Sequence, residues 1–176
     1  MSLPTWDLVI TLFFLVVMAY GFILGRGRIA VILIITYAAY AVSSEAGALV
    51  YSFFTGTKSI ADSIWISSNM SLFTVKAVIF GLIIILMSTR GELGVLNSLA
   101  KGVRSTFLVG LYSFFNAGLI VSSIIKFLPE EQQVSLFSIS SLAARVDSWR
   151  VWWLAVPIIV MIIEGFLRGR EESKSE

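Results

Sequence analysis

The chain has 176 residues, of which 57% are hydrophobic and 14% charged, and its formal net charge is +2. A water-soluble domain of this size has too little interior to hide so much apolar surface, so composition excludes an ordinary globular protein and points to lipid as the solvent. Cysteine and histidine are both absent, which excludes disulfides, thiolate or imidazole metal centres, and any nucleophile activated by histidine.

Crossing the hydrocarbon core takes about 20 residues of helix, and five apolar stretches come close to or exceed that. The first is Leu8–Leu24. It follows Asp7 where a signal peptide would carry positive charge, so it reads as a retained span. The second, Ile29–Phe53, contains Ser43, Ser44 and Glu45. The third, Leu72–Met87, is short and carries Lys76. Asn116 lies inside the fourth, Thr106–Leu128, and Pro157 inside the fifth, Trp152–Leu167, where a kink is expected. The predicted fold is all-α: a polytopic integral membrane protein with five transmembrane helices and one or two short interfacial amphipathic helices. Residues 1–168 form a single transmembrane domain, and 169–176 a short charged cytoplasmic tail, expected to lack order.

Two connections have amphipathic spacing. Gly91–Ser105 sets Leu93, Leu96, Leu99, Ala100 and Val103 on one face. Between Glu130 and Ser148, Val134, Phe137, Leu142 and Val146 fit a second surface helix beginning after Pro129.

Lys and Arg alternate in number between loops. Arg26, Arg28, Arg90, Lys101, Arg104, Arg168, Arg170 and Lys174 fall on one side; Lys58, Lys126, Arg145 and Arg150 fall on the other. Positive residues favour the cytoplasm, so the N-terminus is expected outside and the C-terminus inside. Trp6, Trp65, Trp149, Trp152 and Trp153 all lie on the outer side of this scheme and read as interfacial anchors.

Ionisable or amide groups within spans are the functional leads, because hydrocarbon penalises them. Glu45 and Lys76 sit at similar height on adjacent antiparallel spans and are expected to come close enough to pair. With Asn116 they are candidates for a substrate or ion path. Asn116 also suits hydrogen bonding between helices. Gly21, Gly25 and Gly118 are candidate helix-packing positions, the first two forming a small-xxx-small pattern. Glu164 and Arg168 have i,i+4 spacing for an ion pair. No phosphate-binding loop, dinucleotide fingerprint or intramembrane carboxylate pair is present, and no basic surface suggests nucleic acid. An enzyme is therefore not expected, nor is any cofactor or metal.

Trp6-Asp7-Leu8-Val9 opening a span, Gly21-Phe22-Ile23-Leu24-Gly25-Arg26 closing it, and the later stretch Leu96–Val103 resemble the colicin V production protein (CvpA-like) family of bacterial inner-membrane proteins. The similarity runs from Trp6 to Pro129. It implies a non-catalytic inner-membrane protein with a role in export or envelope maintenance, acting as scaffold or assembly partner. Members have four spans, so a fifth here is a departure. The expected partners are the lipid bilayer and either a second copy of the chain or another membrane protein. The alternative is a small transporter or channel subunit in which Glu45, Lys76 and Asn116 face one cavity.

Overall fold

The computed structural model describes residues 5–56, 71–90 and 103–172, with side chains described except at 54–56, 90, 103–105 and 166–172. Among the described residues there are seven α-helices and no strand. They are α1 (Trp6–Leu24), α2 (Arg26–Gly56), α3 (Leu72–Arg90), α4 (Val103–Phe127), α5 (Glu130–Ile139), α6 (Ser141–Ser148) and α7 (Arg150–Glu172). Four of them are long and apolar enough to cross a membrane, and a fifth candidate arises if α6 and α7, bent by 52°, are taken as one span. Lipid offers the backbone no hydrogen-bond partner, and a helix satisfies its own. The architecture is that of an all-α membrane protein.

A single residue joins α1 to α2. Gly25 has φ +79° and its N–H bonds to Gly21 O at 2.9 Å. An L-residue is strained there, while glycine is not. The next bond, from Ile29 N to Gly25 O at 3.1 Å, already belongs to the start of α2. The chain turns back there, so that Ile29 on α2 lies beside Gly21 on α1.

The central helix is α4, 61% buried over its apolar window against 11% for α1 and for α3. It touches α1, α2, α3, α6 and α7. Its buried hydroxyls bond back into the helix: Ser113 and Ser123 donate to Val109 O and Leu119 O, each at 2.7 Å. Self-satisfied hydroxyls let a neighbour come near without leaving a polar group unpaired.

Close approach matters because lipid tails are as apolar as leucine, so van der Waals packing rather than escape from water draws membrane helices together. Gly21 accordingly lies against Ser113, where a Cβ would stand 1.8 Å from Ser113 Oγ. The outward faces of α1 and α3 carry Leu12, Leu15, Ile23, Leu82 and Ile85, all at least half exposed, as befits side chains facing acyl chains.

Three expectations need correction here. One surface helix after Pro129 is in fact two, α5 and α6, separated at Ser140. The sharp bend falls at Trp149, and α7 runs through Pro157 as one helix. The charged tail is helical through Glu172. Residues 91–102 of the amphipathic stretch expected at Gly91–Ser105, and the anchor Trp65, lie outside the described residues, while 103–105 begin α4.

Candidate functional site at a broken helix

Polar contacts hold α6 at both ends, at the α5–α6 junction and at the α6–α7 break. Ser140, extended at φ −137° and ψ 106°, caps α6, and its Oγ accepts from Ala143 N at 3.0 Å. The same hydroxyl donates to Asp7 Oδ1 at 2.5 Å, and Leu142 N donates to that oxygen at 3.2 Å. A carboxylate from the first turn of α1 thus completes the N-terminus of α6, where the helix dipole favours negative charge.

From that end α6 descends between α1 and α4. Ala143 packs with Ile10 and Ile125, and Val146 with the cluster around Trp153. Trp153 is only 6% exposed and meets the rings of Phe14, Phe114 and Phe115 at centroid distances of 5.3–6.1 Å. Its indole N–H donates to Val146 O at 2.8 Å, near the C-terminus of α6, where carbonyls lack helical donors. Trp153 is therefore a core residue rather than an interfacial anchor, because Gly118 on α4 leaves space that the indole fills. Trp6, Trp149 and Trp152 are 52–59% exposed, in keeping with anchoring.

The other side of the break leans on α2. Tyr37 Oη donates to Leu154 O at 2.6 Å and lies 3.2 Å from Trp153 O. Trp153 O is the carbonyl that Pro157 deprives of its i+4 donor. Arg150 donates through Nη2 to Tyr40 Oη and stands 5.2 Å from the centroid of that ring, adding a cation–π contact.

Lower in the bundle, Asn116 is 2% exposed, and its Oδ1 lies 2.9 Å from Thr36 Oγ1. Thr36 Oγ1 is equally 2.9 Å from Ile32 O, and one proton serves one acceptor. With the amide turned so that Nδ2 donates to Thr36, the hydroxyl donates to Ile32 O and both groups are satisfied. At the far end Glu164 pairs with Arg26, and Tyr112 Oη donates to Glu164 Oε2 at 2.6 Å. Glu164 is thus bound across the bundle to the start of α2, whereas the expected partner Arg168 has a side chain outside the described set.

The expected Glu45–Lys76 pair does not form. Lys76 lays its stem against Gly47, where a Cβ would stand 2.4 Å from Lys76 Cγ. Glu45 is two positions earlier, about 200° around the helix, and is exposed. Asn116 is committed to Thr36, so the three proposed path residues do not converge. Gly21 and Gly118 are close-packing sites; Gly25 is not, since nothing lies within 4 Å of its Cβ position, and it serves the turn instead.

Two apolar grooves flank α1 at this end. One, about 550 Å³, lies among α1, α3, α4 and α5 and includes Trp6, Ile10, Phe73 and Leu136. The other, about 320 Å³, lies beside the α6–α7 break and includes Phe14, Phe114, Arg145 and Trp149. No group of three or more Asp or Glu side chains suited to a metal occurs among the described residues.

Thr36, Tyr37, Tyr40 and Tyr112 were not marked by the sequence, and Asp7 only as the acid that opens the first span. The available signal was the stripe Thr36, Tyr40, Ser43 and Gly47 on α2, whose spacing of three or four keeps small and polar residues on one helical face. Comparisons with known protein families, with curated proteins and with solved structures find no match to this chain.

Proposed function

We propose that the chain is a non-catalytic scaffold of the bacterial cytoplasmic membrane, crossing it five times with the N-terminus outside and the C-terminus in the cytosol. In this reading α6 and α7 together are the fifth span, broken at Trp149. The molecule serves export or envelope maintenance by holding a membrane partner or a second copy against its apolar flanks. One observation carries the reading. Asp7, Asn116, Tyr37, Arg150 and Glu164 are each engaged with another helix or with a helix break, which suits a rigid frame better than an aqueous path. The envelope role itself comes with the resemblance to the colicin V production family.

A transporter or channel subunit is the second reading, and the broken helix favours it, because discontinuous helices build many transport sites. Purified chain reconstituted in dye-loaded vesicles separates the two. A scaffold leaves proton and potassium permeability at the level of empty vesicles, and E45Q and K76M support normal envelope integrity in cells lacking the native gene. Flux above the empty-vesicle level that either substitution abolishes would replace the scaffold with a transporter.

A further inference from the structure

We propose that the groove beside the α6–α7 break binds one anionic glycerophospholipid, with its phosphate on Arg145 and an acyl chain along the floor formed by Phe14, Phe114 and Trp153. The argument begins with the cation. Arg145, with Thr11 and Trp149, lines a groove of about 320 Å³ whose walls are almost wholly apolar, so its stem forms the wall while the exposed guanidinium lies outside that apolar lining, where a lipid headgroup would sit. Among the described residues it makes no ion pair or hydrogen bond through its guanidinium. Asp147, the nearest acid on α6, is two positions away and so about 200° around the helix.

Depth makes that isolation informative. Thr11 and Phe14 follow Asp7 by four and seven residues on α1, which places the groove roughly 6–10 Å along the span at 1.5 Å per residue. An arginine at such depth is costly unless it snorkels to the headgroups or meets an anion. Its planar fork matches phosphate oxygens in a bidentate fashion. The rest of the groove has the complementary chemistry. An aromatic floor offers contact area to a hydrocarbon chain, and Trp149, 55% exposed, suits the headgroup boundary. A lipid has both parts in the required order, with the charge at one end and the hydrocarbon at the other. The charge match thus selects a lipid anion over a second copy of the chain, whose facing helix would have to bring its own carboxylate.

Native mass spectrometry of the purified chain with phosphatidylglycerol, or with diacylglycerol of the same acyl chains, tests the proposal. One phosphatidylglycerol per chain is expected, with retention falling about tenfold in R145Q, as loss of a charge-assisted bidentate contact implies. T11W, which fills the groove from an exposed position, should lower retention similarly while melting stays that of the parent. Diacylglycerol should bind no better to the parent than to R145Q. Equal retention of both lipids, unchanged by R145Q, overturns the proposal, as does a dimer that R145Q dissolves. Should a variant fail to fold, phosphatidylglycerol brominated in its acyl chains decides on the unaltered protein. Tryptophan quenching stronger than with brominated phosphatidylcholine supports the site, and equal quenching rejects it. Vesicle flotation confirms insertion separately, and none of these readouts depends on whether the chain is a scaffold or a transporter.

Discussion

Gly118 and Trp153 share one space. A Cβ at Gly118 would stand 2.3 Å from Trp153 Cε3 and 2.5 Å from Cδ2, so the indole rests directly on the α4 backbone. This contact sets the distance between α4 and α7. It also holds the break, because the same indole bonds to Val146 O.

G118A should therefore act as an overpacking change, costing about 1–3 kcal/mol, since an interlocked ring system has nowhere to shift. W153A alone should cost roughly 3–5 kcal/mol. In the double variant the added methyl meets a cavity instead of a ring, so the sum should fall well short of additive. Equilibrium unfolding in mixed detergent micelles measures all three.

Tyr37 and Pro157 form a second linked pair. Y37F removes the hydroxyl that faces Trp153 O and Leu154 O, at a cost of about 1 kcal/mol, typical for one lost hydrogen bond. P157A restores the amide that Trp153 O lacks. In a P157A background Y37F should cost measurably less. Equal costs in both backgrounds would show that the tyrosine does not compensate for the proline.

Thr36 and Asn116 should behave as one unit. T36V and N116L each leave a buried polar partner, while the double variant leaves none. Coupling of roughly 0.6–1.7 kcal/mol is expected, the range for side-chain bonds between helices in lipid. Independent effects in a double-mutant cycle would remove the pair.

The α6 cap is tested at its two oxygen acceptors, Ser140 Oγ and Asp7 Oδ1. S140A deletes the N-cap hydroxyl and should cost about 1 kcal/mol. D7A should release the same helix from α1, and D7N, which keeps one acceptor oxygen, should be the milder change. Amide exchange of 141–148 is the readout, with faster exchange in S140A and D7A and near-parental protection in α4. If exchange quickens equally throughout, the cap is not a local device.

Much of the architecture was legible because apolar run length is a one-dimensional property. Leu8–Leu24 and Thr106–Leu128 agree with α1 and α4 to within three residues at each end. Asn116 as a link between helices was also readable, since a buried amide requires a partner wherever it lies. Its partner Thr36 was not, because nothing in an apolar run marks which face meets which neighbour. The Glu45–Lys76 expectation failed for that reason. Similar height on two spans says nothing about rotation, and two positions along a helix turn a side chain to the opposite face. Trp153 was misassigned for a related reason: tryptophan suits both a headgroup boundary and a packed core, and only the glycine facing it discriminates.

Composition and run length alone determined that this chain is helical, that lipid is its solvent, and that histidine- or cysteine-based chemistry is closed to it. Tertiary structure decided which polar groups meet. It brought Asp7 to Ser140, Tyr37 to the carbonyl freed by Pro157, and Arg26 to Glu164, and it set Arg145 beside an apolar groove with no ion pair among the described residues. Helix rotation and the break at Trp149 settle those meetings. Both depend on the fit of small residues against large ones across the bundle, a three-dimensional property that no single stretch of sequence contains.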